Sequence, residues 1–290
     1  MIANMIVTPL EHRAILRLSG EAPIAFLQDI LTADIASLAP HQMRQSCLLS
    51  PQGRILVEMT IFIPPQSDDE ELLYLACDKR QQEELIKKLK LYRLRRKIDF
   101  RICDTLCLIA TDEPINADDC LISAPDTRAP DRGYLSIITT DSLSDSTVAD
   151  PHLYHAKRMA DAIPEGPDEL VPNRALMLEA GLHLFDAVDF KKGCYIGQEV
   201  TARTHYRGLV KRRLVPVRAQ KLHQGANVML GDKEVGTILA TSADAAGAIG
   251  LASMRLVAIH DAEAGERLVC EGNPISLVIP EHLRPIPKPS

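Results

Sequence analysis

The sequence predicts an α+β fold whose last part, beyond about residue 208, is a separate antiparallel β-barrel. Three observations carry this. Period-two alternation and i, i+3, i+4, i+7 spacing succeed one another along the first 150 residues, the signatures of strands and amphipathic helices. After residue 208 short Val/Leu runs are punctuated by Gly225, Gly231, Gly236, Gly247, Gly250, Gly265 and Gly272, the spacing of a small barrel. A 290-residue chain that is 46% hydrophobic also has enough apolar surface to bury its cores without disulfides or structural metals.

The elements follow in order. Ala14, Leu16 and Leu18 alternate with Ile15 and Arg17 in a strand that Gly20 ends. Pro23 opens a helix whose buried stripe is Ile24, Phe26, Leu27, Ile30 and Leu31. Ser46–Leu49 and Arg54–Ile63 flank the turn Ser50-Pro51-Gln52-Gly53 as a hairpin. Pro64, Pro65 and the acidic residues 68–71 read as a solvated loop before a strand at Leu72–Cys77. Residues 79–97 have a helical stripe of Leu85, Leu89, Tyr92 and Arg96, with Lys87, Lys88, Lys90, Arg93, Arg95, Arg96 and Lys97 crowded around it. That basic face is either a solvated surface or a field for a polyanion. Strands are expected at 106–110 and 134–139, then a connection at Thr140–Pro151.

Composition excludes several classes. With 33 Lys+Arg against 39 Asp+Glu the net charge is −6, and there is no Trp, with only five Phe and six Tyr. Nucleic-acid readers need phosphate-neutralising charge and stacking rings, so none is expected as a partner. No apolar run reaches the roughly 18–20 residues of a membrane span, and no membrane contact is expected. The N-terminus shows neither a signal peptide nor a transit peptide. The expectation is a cytoplasmic protein, or a matrix protein if the source is eukaryotic. Seven scattered cysteines fit reduced thiols.

Residues 189–203, Asp-Phe-Lys-Lys-Gly-Cys-Tyr-Ile-Gly-Gln-Glu-Val-Thr-Ala-Arg, carry the most information. Gly193 would let Cys194 occupy a sharp turn, and the pattern from Ile196 predicts a short helix with Ile196 and Val200 inward and Glu199 and Arg203 at i, i+4. Lys191, Lys192 and the helix N-terminus would favour a Cys194 thiolate. Gln198, Glu199, Arg203, Tyr195 and Tyr206 suit a flat, polar, anionic heterocycle. Phe185, Phe190, Tyr195 and Tyr206 lie close together in sequence, as a ring-binding pocket or a local core beneath the loop would require.

KGCYIGQEVTAR resembles the signature of the YgfZ family of folate-binding proteins, which are related to the T-protein of the glycine cleavage system and to mitochondrial iron–sulfur assembly factors. The resemblance extends to Arg13, Gly20, Phe26-Leu27-Gln28 and Leu31-Thr32-Ala33-Asp34, to Leu49-Ser50-Pro51-Gln52-Gly53-Arg54-Ile55, to Leu91–Lys97, and to Tyr206-Arg207-Gly208 with Lys211-Arg212-Arg213. It implies a T-protein-like three-domain fold with two interleaved α/β parts around a central channel and a C-terminal antiparallel β-barrel. In this chain that would divide residues 1–46 with 150–207 (the folate-binding part), 47–149 (a ferredoxin-like part) and 208–290 (the barrel).

The resemblance also implies tetrahydrofolate or a derivative as cofactor, and a role in iron–sulfur cluster assembly or maintenance that supports cluster-dependent enzymes, among them tRNA-thiolating ones. Cys194 would be the functional thiol. Arg13, Tyr154, Asp161, Lys192, Tyr195, Gln198, Glu199 and Arg203 would be folate contacts, and no metal site is assigned. Two departures bear on catalysis. The aspartate pair of the glycine-cleavage relatives reads Val57-Glu58 here, and valine can neither accept a proton nor steady a cationic intermediate. The pterin-gripping glutamate has two candidate equivalents: Asp161, which is favoured, and Glu179 in Glu179-Ala180-Gly181. A non-enzymatic role is therefore favoured, the alternative being a folate-dependent aminomethyl or methyl transferase with a non-glycine substrate and Glu58 as its acid–base.

Other chemistry is weaker. Cys103-x3-Cys107 lacks a second pair and reads as strand cysteines, and His152 and His155 lack further ligands. There is no phosphate-binding glycine loop and no nucleophile elbow.

Overall fold

The computed structural model describes residues 5–65, 71–244 and 246–288. Residues 68–70 of the expected acidic loop lie outside them. The chain opens with β1 (Ile6–Pro9), β2 (Arg13–Gly20), α1 (Pro23–Ile30), the hairpin β3 (Gln42–Leu49) and β4 (Ile55–Ile63), β5 (Glu71–Asp78), α2 (Gln82–Arg93) and β6 (Ile98–Ile102). Next come β7 (Leu106–Thr111), β8 (Ile122–Pro125), β9 (Tyr134–Thr139), β10 (Thr147–Val148), α3 (Pro151–Ala160) and α4 (Gly166–Glu169). Helix α5 (Gln198–Arg207) leads into β11 (Arg212–Ala219), β12 (Asn227–Leu230), β13 (Lys233–Asp244), β14 (Gly247–Arg255), α6 (Leu256–Glu263), β15 (Leu268–Cys270) and β16 (Asn273–Leu277).

Alternation in the strands decides what packs where. In the first sheet, ordered β3-β4-β5-β2-β6, Ala14, Leu16, Leu18, Val57, Met59 and Ile61 share a core with Phe26, Leu27, Leu85 and Leu89 of α1 and α2. The opposite face, with Ile15, Met43, Phe62 and Tyr74, packs on Leu108, Ile122, Leu135 and Ile137 of the second sheet, ordered β10-β1-β7-β9-β8. Arg13, Gln45 and Glu58 occupy alternate positions on this inter-sheet face, so the same period of two that buries Ile15 and Phe62 buries them too. The remaining six strands close as an antiparallel barrel, β11-β14-β13-β12-β15-β16, whose core also takes Ala156 and Met159 from α3. The expected α+β fold with a C-terminal barrel is thus observed.

Three expectations are corrected. The boundary at 46/47 falls inside β3, and β1 pairs with β7 and β10, so residues 47–149 form no ferredoxin-like sheet of their own. Their strands are divided between two sheets because the β3–β4 hairpin pairs across β5 to β2. The basic helix is shorter than 79–97. It starts after a 3-10 turn at Lys79–Gln81, capped by Asp78 accepting from Arg80 N, and stops at Leu94, where φ is 54°. Arg96 is exposed, pairing with Asp29 and lying over the Phe26 ring, and is not on the buried stripe.

Candidate functional site

Two motifs far apart in sequence interlock at the tip of the β3–β4 hairpin. The turn closes through Ser50 N donating to Arg54 O and Gly53 N donating to Ser50 O. Gly197, the N-cap residue of α5, sits on it with φ 80°. A Cβ there would stand 2.5 Å from Ser50 O and 2.9 Å from Leu49 Cβ, so only glycine permits both the conformation and the approach. This is the role the sequence assigned to Gly193, which lies outside the left-handed region with open space around it. Val200 packs on Gly53 yet stays 38% exposed.

The loop before α5 is stitched to residues 31–33. Asp189 N donates to Thr32 O, Thr32 Oγ1 donates to Ala187 O, and the Asp189 carboxylate accepts from Lys191 N and Lys192 N. Lys192 Nζ reaches back to donate to Leu31 O at 2.8 Å and Ala33 O at 2.7 Å, and lies 5.3 Å from the Tyr195 ring centroid. Burial pulls its ammonium down to about 8, against the pull of Asp34, Asp189 and Asp29. Tyr195 is buried among Cys47, Leu49, Ile55 and Phe185, and its hydroxyl has no partner among the described residues. Between these two anchored residues Cys194 is exposed, whereas the other six cysteines are buried or half-buried. Such a loop presents one thiol from a rigid frame. Gln198 is half-buried and Glu199 and Arg203 are exposed, and no ion pair joins the last two.

The remaining expected contacts lie elsewhere, in a buried ionic network between the sheets, α3 and α4. Arg13 donates from Nη1 to Glu58 Oε2 at 2.8 Å and from Nη2 to Ala76 O at 2.6 Å. Glu58 also accepts from Gln45 Nε2 and Gly166 N, so its carboxylate is saturated and is not placed as an acid–base. Tyr154 donates to Glu165 Oε1 at 2.7 Å, Arg128 bridges Asp126 and Glu165, and Arg158 pairs with Glu169 through both Nη atoms. Asp161 accepts from Arg132, whose guanidinium also covers the Tyr154 ring. Burial raises the Glu165 carboxyl, but His12, Arg128, Arg158 and Arg13 outweigh it and hold the group well below the usual carboxylate range. Burial together with Arg158 lowers the His155 imidazole to about 4. Arg13, Glu58, Tyr154 and Asp161 therefore bond within this network, and Tyr154 with Arg132 also lines a cavity of about 170 Å³. The network escapes sequence reading because its members are scattered from residue 12 to residue 169. Only the arginines and glutamates at inward strand positions signal it.

A cavity of about 180 Å³ opens beside this network, between residues 169–180 and the barrel. It is lined by Glu169, Arg174, Glu179, Leu214, Leu239 and Ser253 among others. Glu179 is among its lining residues and Asp161 is not. The four clustered aromatics divide: Phe185 and Tyr195 belong to the core beneath the loop, while Phe190 stacks on His205 at 4.0 Å and Tyr206 is 71% exposed. Cys103 and Cys107 are half-buried, and burial raises both thiols. No group of three or more His, Cys, Asp or Glu side chains arranged for a metal occurs among the described residues.

The fold and barrel define a class: an aminomethyltransferase-type fold closed by a C-terminal β-barrel. The structure is similar to the glycine cleavage system aminomethyltransferase T from Bartonella henselae, with a TM-score of 0.73 over 95% of this chain and 85% of that one, at 14% identity. Residues 211–285 match the family model described as CAF17, C-terminal beta-barrel domain. In sequence the chain is similar to proteins named iron–sulfur cluster assembly factor IBA57. It is 34% identical over 234 residues to the human mitochondrial protein (72% of this chain, 65% of the relative) and 33% identical over 235 residues to the Coccidioides immitis mitochondrial homologue (72% and 55%). The chain thus spans less than two thirds of these relatives' length. No helix among the described residues is long and apolar enough to cross a membrane.

Proposed function

We propose that this chain is an accessory factor in iron–sulfur cluster assembly, with Cys194 as the thiol that engages the cluster and a folate as its small-molecule ligand, as the YgfZ-like signature implies. The observation that carries the reading is the exposed Cys194 held between the anchored Lys192 and Tyr195. One exposed thiol cannot complete a tetrahedral iron site, so the remaining ligands come from a partner chain or an external thiol. The names of the IBA57 relatives support the assembly role.

For folate, the cavity beside Glu179 offers apolar walls at Leu214 and Leu239, a carboxylate for a pterin's amidine edge, and Arg174 at its rim for an anionic tail. At about 180 Å³ it is smaller than the roughly 300–1,000 Å³ of pockets that enclose a whole drug-sized ligand, so it suits the ring and leaves the tail outside. When bound, the cofactor supplies a reduced pterin; the chain's part is to bind and orient it. Saturation of Glu58 by Arg13, Gln45 and Gly166 weighs against transferase chemistry at that carboxylate.

Two measurements test the proposal. Tetrahydrofolate is expected to raise the melting temperature, and Glu179→Gln to weaken that shift. In cells lacking the chain, Cys194→Ser is expected to fold normally but fail to restore cluster-dependent enzyme activity. Full restoration by Cys194→Ser would overturn the thiol assignment, and no shift at saturating tetrahydrofolate would overturn the ligand.

A further inference from the structure

Arg213, on β11, is only 3% exposed, and neither its Nε nor its Nη1 has a hydrogen-bond acceptor among the described residues. A guanidinium carries five N–H donors and keeps its charge at any physiological pH, so one left buried and unpaired is costly and calls for a partner. The described residues supply none to Nε or Nη1. Glu179, half-buried, favours the arginine's charge but forms no ion pair with it, and burial pulls the guanidinium down to about 10.

A second unpaired group stands beside it. Gly181, with φ 77°, lies so close that a Cβ there would be 3.4 Å from Arg213 Nη1. Gly181 caps a 3-10 turn at Leu182–Phe185, in which His183 has a buried Nδ1 that also lacks a partner among the described residues. Burial, Arg213 and His205 together lower its imidazole to about 4, so at neutral pH the ring is uncharged and has one N–H to give. The His183 ring meets His205 edge-on at 6.2 Å, and exposed His205 stacks on Phe190, so the pair is linked to the surface by a short chain of rings.

We propose that Arg213 and His183 form a binding site for a small monoanionic carboxylate. One carboxylate supplies acceptors for the guanidinium and for the imidazole N–H, and its single charge matches that of Arg213. A dianionic phosphate would leave one buried negative charge uncompensated, with Glu179 adding to it. The site does not rest on the Cys194 reading, since neither Arg213 nor His183 belongs to that loop.

Acetate is the probe, titrated into the full chain at constant ionic strength with chloride making up the balance. The His183 ring resonances are expected to shift saturably, with a parallel saturable rise in melting temperature. Arg213→Gln should raise the dissociation constant at least tenfold and His183→Phe several-fold, while Cys194→Ser titrates as the wild type. If Arg213→Gln does not fold, the His183→Phe variant and the wild-type ring shifts still decide. Equal effects of chloride, tighter binding of phosphate, or a wild-type titration by a folded Arg213→Gln or by His183→Phe would each overturn the assignment.

Discussion

Lys192 is a lysine whose charge has been made expensive to keep, because its ammonium is half-withdrawn from water to hold the carbonyls of Leu31 and Ala33. Its amine is predicted to titrate near 8, followed by the Cε and Nζ resonances; an ordinary value near 10.5 would show that the strap is not formed in solution. Arg13 illustrates the opposite case, a charge fully satisfied inside. Replacing it with Met strands Glu58 without its cation, with an expected loss of about 3–5 kcal/mol in denaturant unfolding. Loss of less than about 1 kcal/mol would mean the pair is solvated. Residue by residue, the signature loop was legible because Lys-Gly-Cys-Tyr-Ile-Gly-Gln-Glu is a contiguous string, and Cys194 is where that string implies an exposed thiol. Glu58 and Tyr154 were legible as unusual residues but not as each other's near neighbours through Gly166 and Glu165, since pairing over long sequence separations leaves no local mark.

At the scale of elements, the hairpin turn and α5 behave as one unit through Gly197. Gly197→Ala must force a Cβ toward Ser50 O and hold alanine at a positive φ, which costs at least about 1–2 kcal/mol before any displacement of the turn. The expected result is lower stability together with faster proteolysis near Cys194, and Gly193→Ala serves as the nearly neutral control. Equal effects of the two substitutions would contradict the interlock. Periodicity revealed α1, the β3–β4 hairpin and β9 because each is long or strongly apolar. It missed β1, β8 and β10, which have four, four and two residues, too few for alternation to register. The left-handed stop at Leu94 was invisible for a different reason: neither glycine nor proline marks it.

Across the whole molecule, the ionic network and His155 beside it tie stability to pH. His155 is held near 4 in the folded state and titrates near 6.5 when unfolded, so between those values the unfolded chain binds more protons and stability falls as the pH drops. One such histidine contributes on the order of 2–3 kcal/mol across that window, and His155→Gln should flatten part of the slope measured by denaturant unfolding. Glu165 adds acid sensitivity only below the ordinary carboxylate range, because its folded value is depressed. The division of strands between two sheets was not legible, since pairing of β1 with β7 joins residues about a hundred positions apart. The barrel was legible from its glycines. The proposed link from fold to function is that this frame presents Cys194 to a cluster. Anaerobic reconstitution with ferrous iron, sulfide and an excess of a low-molecular-weight thiol tests it most directly. The wild type is predicted to develop thiolate-to-iron charge-transfer absorption that co-elutes with the protein, and Cys194→Ser to lose it. Equal cluster loading of both proteins would contradict the account.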